Sequence, residues 1–208
     1  MLPILYQQAM QFITLPYSKI RLTGTTSNDY FIRLFLSECD WTINIDEDCF
    51  VIDNEEIQSL LDYMIKEDYD FCGIPDGGIS SIRCASPVVM NACFNIFNIT
   101  KIRNNLDIDA IVQSEFGEDL LEKTPVHLLR GPYDYSPLEP YYHIFYWLVR
   151  NFRPLWLDAR TLEDGITTEL LSHRGKPLCW HTWYAREYLT HPEQRERIDR
   201  VIAEARTR

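Results

Sequence analysis

No Cys-x-x-Cys pair, no charged leader ahead of an apolar core, no repeat and no apolar stretch of membrane length occur in this 208-residue chain. Each absence excludes something. The cysteines at 39, 49, 72, 84, 93 and 179 sit mostly among apolar neighbours, the pattern of small buried hydrophobes in a reducing compartment rather than of a zinc site or a disulfide framework. Without a leader there is no secretory signal to read. The longest apolar cluster, Tyr141 to Val149 broken by His143, falls far short of the roughly 20 residues a membrane span needs. These features predict a cytoplasmic protein, peripheral at most where it meets a membrane.

Positive charge is also scarce. Against 31 Asp and Glu stand 20 Lys and Arg, a net charge of -11. That excludes a protein whose main task is to grip a nucleic-acid backbone, which needs a basic surface to displace counterions. Phosphate can then be held only locally, through a metal or a few placed cations.

The chain is long enough to bury roughly two thirds of its unfolded surface, and 46% hydrophobic with 25% charged residues describes a chain that folds by burial. One α/β domain over residues 1–208 is expected. Met1 to Leu15 reads as a helix, giving an N-terminal helical segment over 1–18, and Lys19-Ile20-Arg21-Leu22 as the sole early strand. Asp53-Asn54-Glu55-Glu56 has the spacing of a capping box, followed by Ile57, Leu60, Leu61, Met64 and Ile65 at helical intervals. Tyr69 to Ile74 predicts a strand ended by the turn residues Pro75-Asp76-Gly77-Gly78. Val88 to Phe97 predicts a buried strand, and Lys101 to Asp119 a helix with surface loops. Ser136-Pro137-Leu138-Glu139 predicts a capped aromatic helix through Arg150 that packs in the core. Leu155 to Asp158 suits a short strand, and Thr190-His191-Pro192-Glu193 opens a C-terminal helix over 190–208.

The most informative stretch is Trp41-Thr42-Ile43-Asn44-Ile45-Asp46-Glu47-Asp48. A β-branched and aromatic run reads as a buried strand that delivers Asp46 and Asp48 to its carboxyl end. Two carboxylates side by side repel unless a cation lies between them. A hard divalent ion such as magnesium or manganese suits them, because it takes few carboxylates and keeps positions for phosphate oxygens. The plainer reading is that the acids cap a helix or face solvent.

The strand ending in Ile45-Asp46-Glu47-Asp48, the Gly73-Ile74-Pro75-Asp76-Gly77-Gly78 loop and the late Trp180-His181-Thr182-Trp183-Tyr184 together resemble a GT-A fold glycosyltransferase. The resemblance covers residues 20–190. It implies a Rossmann-like mixed central sheet flanked by helices, and transfer of a sugar from a nucleotide-diphosphate donor, UDP- or GDP-linked, to a saccharide or lipid-linked acceptor. It implies Mn2+ or Mg2+ held by Asp46, Asp48 and His181, with His173 in Ser172-His173-Arg174-Gly175-Lys176-Pro177 as the competing histidine. Asp164 and Asp76 are its candidate catalytic carboxylates, Asp76 alternatively binding donor hydroxyls. Glu47, Gly77, Gly78, Arg83, Lys176 and Arg186 join Asp46 and Asp48 as candidate donor-binding residues. Trp180, Trp183 and Tyr184 could stack on a sugar or base, or serve to bury and orient His181. Each of these residues also has an ordinary structural reading, as a turn aspartate, an ion pair or a packing group.

Enzymes of that fold open with strands that bind the nucleotide base, whereas only 45 residues precede Asp46 here. The nucleotide-binding part is therefore expected to be incomplete, in a fragment or a compact variant. Three rivals stand beside the active enzyme. A sugar-phosphate nucleotidyltransferase would need a Gly-rich, Arg-containing opening loop, which is absent. A calcium-binding EF-hand would need other residues than Phe50 and Val51. The third is a catalytically inactive glycosyltransferase-like binding module.

Overall fold

A computed structural model describes residues 2–208. The chain runs α1 (Pro3–Gln11), α2 (Ser27–Phe35), β1 (Trp41–Ile45), β2 (Cys49–Val51), α3 (Asn54–Lys66), β3 (Phe71–Gly73) and β4 (Phe94–Asn98). Then follow α4 (Ile99–Asn104), α5 (Ile108–Val112), α6 (Glu118–Leu121), α7 (Tyr142–Asn151), β5 (Pro154–Trp156), β6 (Ala159–Thr161), β7 (Thr168–Leu171), β8 (Pro177–His181) and α8 (Pro192–Ala205). The α/β class is as expected. The single central sheet is not: the strands form two four-stranded sheets, ordered β1-β4-β3-β5 and β2-β8-β7-β6.

In the first sheet β4 is antiparallel to both β1 and β3, and β3 is parallel to β5. Strands β1, β3 and β5 therefore share a direction and end at one edge. That edge is where open α/β sheets place ligands. The second sheet is antiparallel throughout, and β1 passes from the first sheet into β2 of the second across Asp46-Glu47-Asp48.

Burial explains most of the helices. Phe31 on α2 packs its ring 5.4–6.2 Å from Phe35, Phe97, Tyr141 and Phe145, tilted or edge-on, the geometry aromatic quadrupoles favour. The aromatic α7 lies in this core as expected, with Tyr142, Phe145, Tyr146 and Leu148 at most 1% exposed. Asp53 caps α3 by accepting the Glu56 N–H at 2.9 Å. Glu56 does not return the favour to Asp53, because Arg174 and Ser172 hold its carboxylate.

Several boundaries shift for identifiable reasons. The N-terminal helix ends at Gln11, since Asn54 intercepts it, donating to the Phe12 carbonyl and accepting the Thr14 N–H; Met1 of the expected helix lies outside the described residues. Lys19 to Leu22 forms no strand, and Ile20 is 77% exposed, as an alternating segment with no sheet edge to pair with. The α7 helix starts at Tyr142 rather than after Ser136, because Pro137 and Pro140 bias the residues before them away from helical geometry. The strand expected over 88–97 is reduced to Phe94–Asn98, since the Asn91 side chain accepts the Cys93 N–H and turns the chain. The strands expected over 69–74 and 155–158 are Phe71–Gly73 and Pro154–Trp156, and the last helix is Pro192–Ala205. Four cysteines, 49, 72, 93 and 179, are buried thiols; Cys39 is half-buried and Cys84 exposed. Among the described residues no helix is long and apolar enough to cross a membrane.

Candidate functional site

The acidic turn is the hinge between the two sheets. Asp46 donates its N–H to the Cys93 carbonyl at 2.9 Å, and Cys49 donates to the Asp46 carbonyl at 3.1 Å, closing a tight turn. The β2–β8 register then sets Cys49 opposite His181. That pairing brings His181 Nε2 to 3.4 Å from Asp48 Oδ1. Beyond β8, Thr182 binds the Asp48 carbonyl through its N–H at 2.9 Å and its hydroxyl at 3.1 Å. Trp183 and Tyr184 follow with φ of 58° and 57°. Two consecutive non-glycine residues in the left-handed region cost on the order of 1–3 kcal/mol each. The next residue, Ala185, has its N–H close enough to the Asp48 carboxyl to help hold its pKa down.

Electrostatics separate the two acids. Burial pushes the Asp48 carboxyl up, but His181 and the backbone N–H groups outweigh it and hold the pKa below the ordinary value. Asp46 is open to solvent, yet its carboxyl is surrounded by enough protein to lose hydration. That loss first, and the neighbouring Asp48 second, push it up to about 6. Desolvation opposes a charged His181; the Cys93 thiol and the Asp48 carboxylate reverse the sign and raise the imidazole well above its usual range. His181 is therefore the counter-ion of Asp48, and to ligate a metal it would first have to release its proton. The Trp183 ring covers it at 4.1 Å. Beneath lie the Cys49 and Cys93 thiols, which burial drives well above their ordinary pKa, so neither is an activated nucleophile.

Among the described residues no group of three or more His, Cys, Asp and Glu side chains is arranged to hold a metal ion. A hard ion delivered with phosphates asks less of the protein, one or two carboxylates and substrate oxygens. Asp46 and Asp48, two acids two positions apart of which one remains accessible, fit that donor set.

The other expected residues are dispersed. Glu47 accepts the Leu2 N–H at 2.7 Å and so anchors the start of α1. Asp76 is 2% exposed and fully engaged, by Arg83 Nε at 3.1 Å, Asn91 Nδ2 at 2.6 Å and the Tyr142 hydroxyl; it offers no carboxylate to a substrate. Arg83 is its counter-ion and also binds Glu139 at 3.2 Å. Gly77 and Gly78 form a buried packing loop rather than a phosphate cradle. A Cβ on Gly77 would sit 1.8 Å from the Ala85 carbonyl oxygen. Asp164 closes the β6–β7 turn, accepting the Ile166 and Thr167 N–H groups at 3.0 and 2.7 Å, and pairs with Arg197 at 3.3 Å. The turn's hydrogen bonds offset its partial burial and hold its pKa low, the wrong direction for a general base at neutral pH. Trp180 is fully buried and donates to Glu169 at 2.9 Å, so it cannot stack on a ligand.

Lys176 and His173 belong to the opposite end of β8. Four residue steps at about 3.4 Å each separate Pro177 from His181, roughly 14 Å. There His173 stacks on Tyr63 at 4.1 Å, and Lys176 lies 3.9 Å from Glu56. The Arg174 hydrogen bond first, against burial and with Ser172 second, holds the Glu56 carboxyl below its ordinary 4.5. This pairing therefore stabilises the fold at neutral pH and the gain is lost as pH falls below that value. Glu56→Gln should flatten the acid limb of a urea-stability curve measured against pH; an acid limb identical to wild type would contradict the assignment.

Arg186 is placed differently. It lies in the 3-10 turn Ala185–Glu187, one residue beyond the Asp48 donor, and is exposed and unpaired among the described residues. Tyr184 beside it is 43% exposed.

Sequence reading missed the polar groups that connect the strand ends. The Tyr30 hydroxyl donates to Asn44 Oδ1, and burial with the nearby Asp46 charge raises its pKa. Asn44 Nδ2 reaches the Ala92 carbonyl at 2.8 Å and Asn95 Oδ1 at 3.3 Å. Asn95 bonds the Asn91 carbonyl at 3.1 Å, and Asn91 binds Asp76. A continuous amide network thus ties the acidic turn to the glycine loop. Its signal was available: an asparagine inside an apolar strand must find partners. Surface depressions of about 580 and 470 Å³ lie elsewhere, along Cys39, Asp40 and Arg103 and along Lys101, Trp147 and Asn151, toward the edge where β1 begins.

Comparison with protein-family models, curated proteins and solved structures finds no match to this chain.

Proposed function

We propose that the chain is a metal-dependent glycosyltransferase that takes a sugar from a UDP- or GDP-linked donor and passes it to a saccharide or lipid-linked acceptor. One observation carries this reading. Asp46 and Asp48 crowd together at the edge where β1, β3 and β5 end, and the accessible Asp46 has its proton affinity raised to a pKa of about 6. Crowded carboxylates of this kind are satisfied by a divalent cation. Asp46 and Asp48 would hold Mn2+ or Mg2+, which when bound supplies Lewis-acid stabilisation of the diphosphate leaving group. Arg186, unpaired among the described residues, supplies a guanidinium suited to bind phosphate oxygens in two-point fashion. Ala185 and His181 fix the carboxylate of Asp48, and Tyr184 offers a ring face to base or sugar.

Because Asp76 and Asp164 are both committed to protein partners, an inactive module that binds the nucleotide sugar without transfer is the second reading. Nucleotide release separates the two. UDP-glucose and GDP-mannose incubated with the chain and manganese should release UDP or GDP as the sugar passes to water in place of the acceptor, and the release should stop on chelation and in Asp46→Asn. A folded chain that binds the nucleotide sugars but releases nothing would favour the binding module.

A further inference from the structure

Arg197 on α8 gathers more polar groups than any role in helix stability requires. Its Nη2 donates to the carbonyls of Thr182 at 2.6 Å and Trp183 at 3.3 Å. Its Nη1 reaches Asp164 Oδ2 at 3.3 Å and the Thr167 hydroxyl at 3.2 Å, and its Nε reaches Gln194 at 3.0 Å. The Arg197 side chain is only 11% exposed. A second tie holds the same segment from below, Trp183 Nε1 to the Thr168 hydroxyl at 2.9 Å.

The two carbonyls matter because of where they stand. Thr182 is bonded to the Asp48 backbone, and Trp183 opens the left-handed pair that carries the chain to Ala185, whose backbone N–H lowers the Asp48 pKa. Nothing in the composition of Trp183-Tyr184 favours that conformation, since neither is glycine or asparagine. It persists when surrounding groups over-determine it. A planar guanidinium reaches two successive carbonyls and a carboxylate from separate nitrogens in a fixed fork, whereas an ammonium offers its three donors from a single point.

We infer that Arg197 is a positioning residue: by capturing the Thr182 and Trp183 carbonyls it holds the turn that aims Ala185 N–H at Asp48 and presents Arg186 beside it. The inference rests on the metal-site reading above for its consequence, and on this geometry for its cause. Asp164 accordingly acts as the acceptor that orients Arg197, not as a base. The C-terminal helix thus sets the active-site turn from outside the site.

The test compares wild type, Arg197→Lys and Arg195→Lys. Arg195 lies on the same helix and binds the Tyr188 carbonyl at 3.1 Å, at the exit of the 3-10 turn and not at the Thr182 and Trp183 carbonyls, so its variant controls for general loosening of α8 and of the chain that follows the turn. Two readouts are used, the Ala185 amide resonance in a 15N spectrum and the manganese affinity by titration. Outer groups that orient a ligand typically change metal affinity about 10–100-fold. Arg197→Lys should shift and deprotect the Ala185 amide and weaken manganese binding by at least about tenfold, while Arg195→Lys leaves both unchanged. An unmoved Ala185 amide in a folded Arg197→Lys variant overturns the inference. If that variant does not fold, fast exchange of the Ala185 amide in wild type overturns it equally, and slow exchange sustains it. Wild type that binds no manganese, with an Ala185 amide that still depends on Arg197, would remove the metal-site reading and leave the positioning role standing.

Discussion

Asp76→Ala should destabilise the chain by about 3–5 kcal/mol, as expected when one partner of a buried ion pair is removed and the groups that converge on it lose their acceptor. The side chain is wholly buried, and three groups converge on it: Arg83 through Nε and Nη2, the Asn91 amide at 2.6 Å, and the Tyr142 hydroxyl. Truncation strands all three. Arg83, 22% exposed, would keep only Glu139 at 3.2 Å. Burial dominates the carboxyl and raises its pKa despite Arg83, so the pair contributes little net stability while its rupture costs much. Asp76→Asn, which removes the charge but keeps a hydrogen-bonding side chain of the same shape, should cost less, about 1–3 kcal/mol. Urea denaturation of both variants decides it. An Asp76→Ala midpoint within experimental error of wild type would mean that the glycine loop is not anchored through this residue.

Asp48→Asn should abolish manganese binding in a chain that still folds, at a cost in stability because the buried His181 loses its counter-ion. The Thr182 contacts go to the Asp48 main-chain carbonyl, which the substitution retains, and the new amide oxygen can still accept the Ala185 N–H. What disappears is the negative charge. Groups that merely orient a ligand change metal affinity about 10–100-fold, so loss of one of two ligating carboxylates should exceed about 100-fold. Asp46→Asn should do the same, since affinity for a hard cation follows the number of charged oxygens offered. Glu47→Gln should not, because Glu47 is turned away to the start of α1. Manganese affinity that survives Asp48→Asn would place the ion elsewhere.

How far these features could be read from the residues depends on how local their causes are. The Asp53 cap and the helix after it follow from a few adjacent side chains, and both are present. The strand that leads into Asp46 follows from a β-branched run, and it too is present. His181 is a different case. Its place beside Asp48 depends on the β2–β8 register, a pairing across 132 positions that no local pattern encodes. The division into two sheets has the same origin, since β1 and β2 are separated by only three residues yet join different partners.

The candidates chosen for chemistry fared according to their surroundings. Asp76 before Gly77 and Asp164 before Gly165 both look like accessible turn aspartates in sequence. Each has acquired an arginine, Arg83 seven residues away and Arg197 from a distant helix. A turn motif says that a carboxylate can be exposed, not what folds over it. Conversely Asn44, Asn91 and Asn95 were hidden by their apolar neighbours, although buried amides demand partners and so mark a constructed network. Arg197 was hidden by a charged helix in which it looks like any other surface cation.

The most direct test of the central reading is calorimetric titration of UDP and GDP into the purified chain, with and without manganese, in wild type and Asp48→Asn. Binding of a nucleoside diphosphate that requires both the metal and Asp48 is the predicted result. Equal binding without manganese, or binding by Asp48→Asn equal to wild type, would contradict it, as would no binding of either nucleotide by the folded wild-type chain.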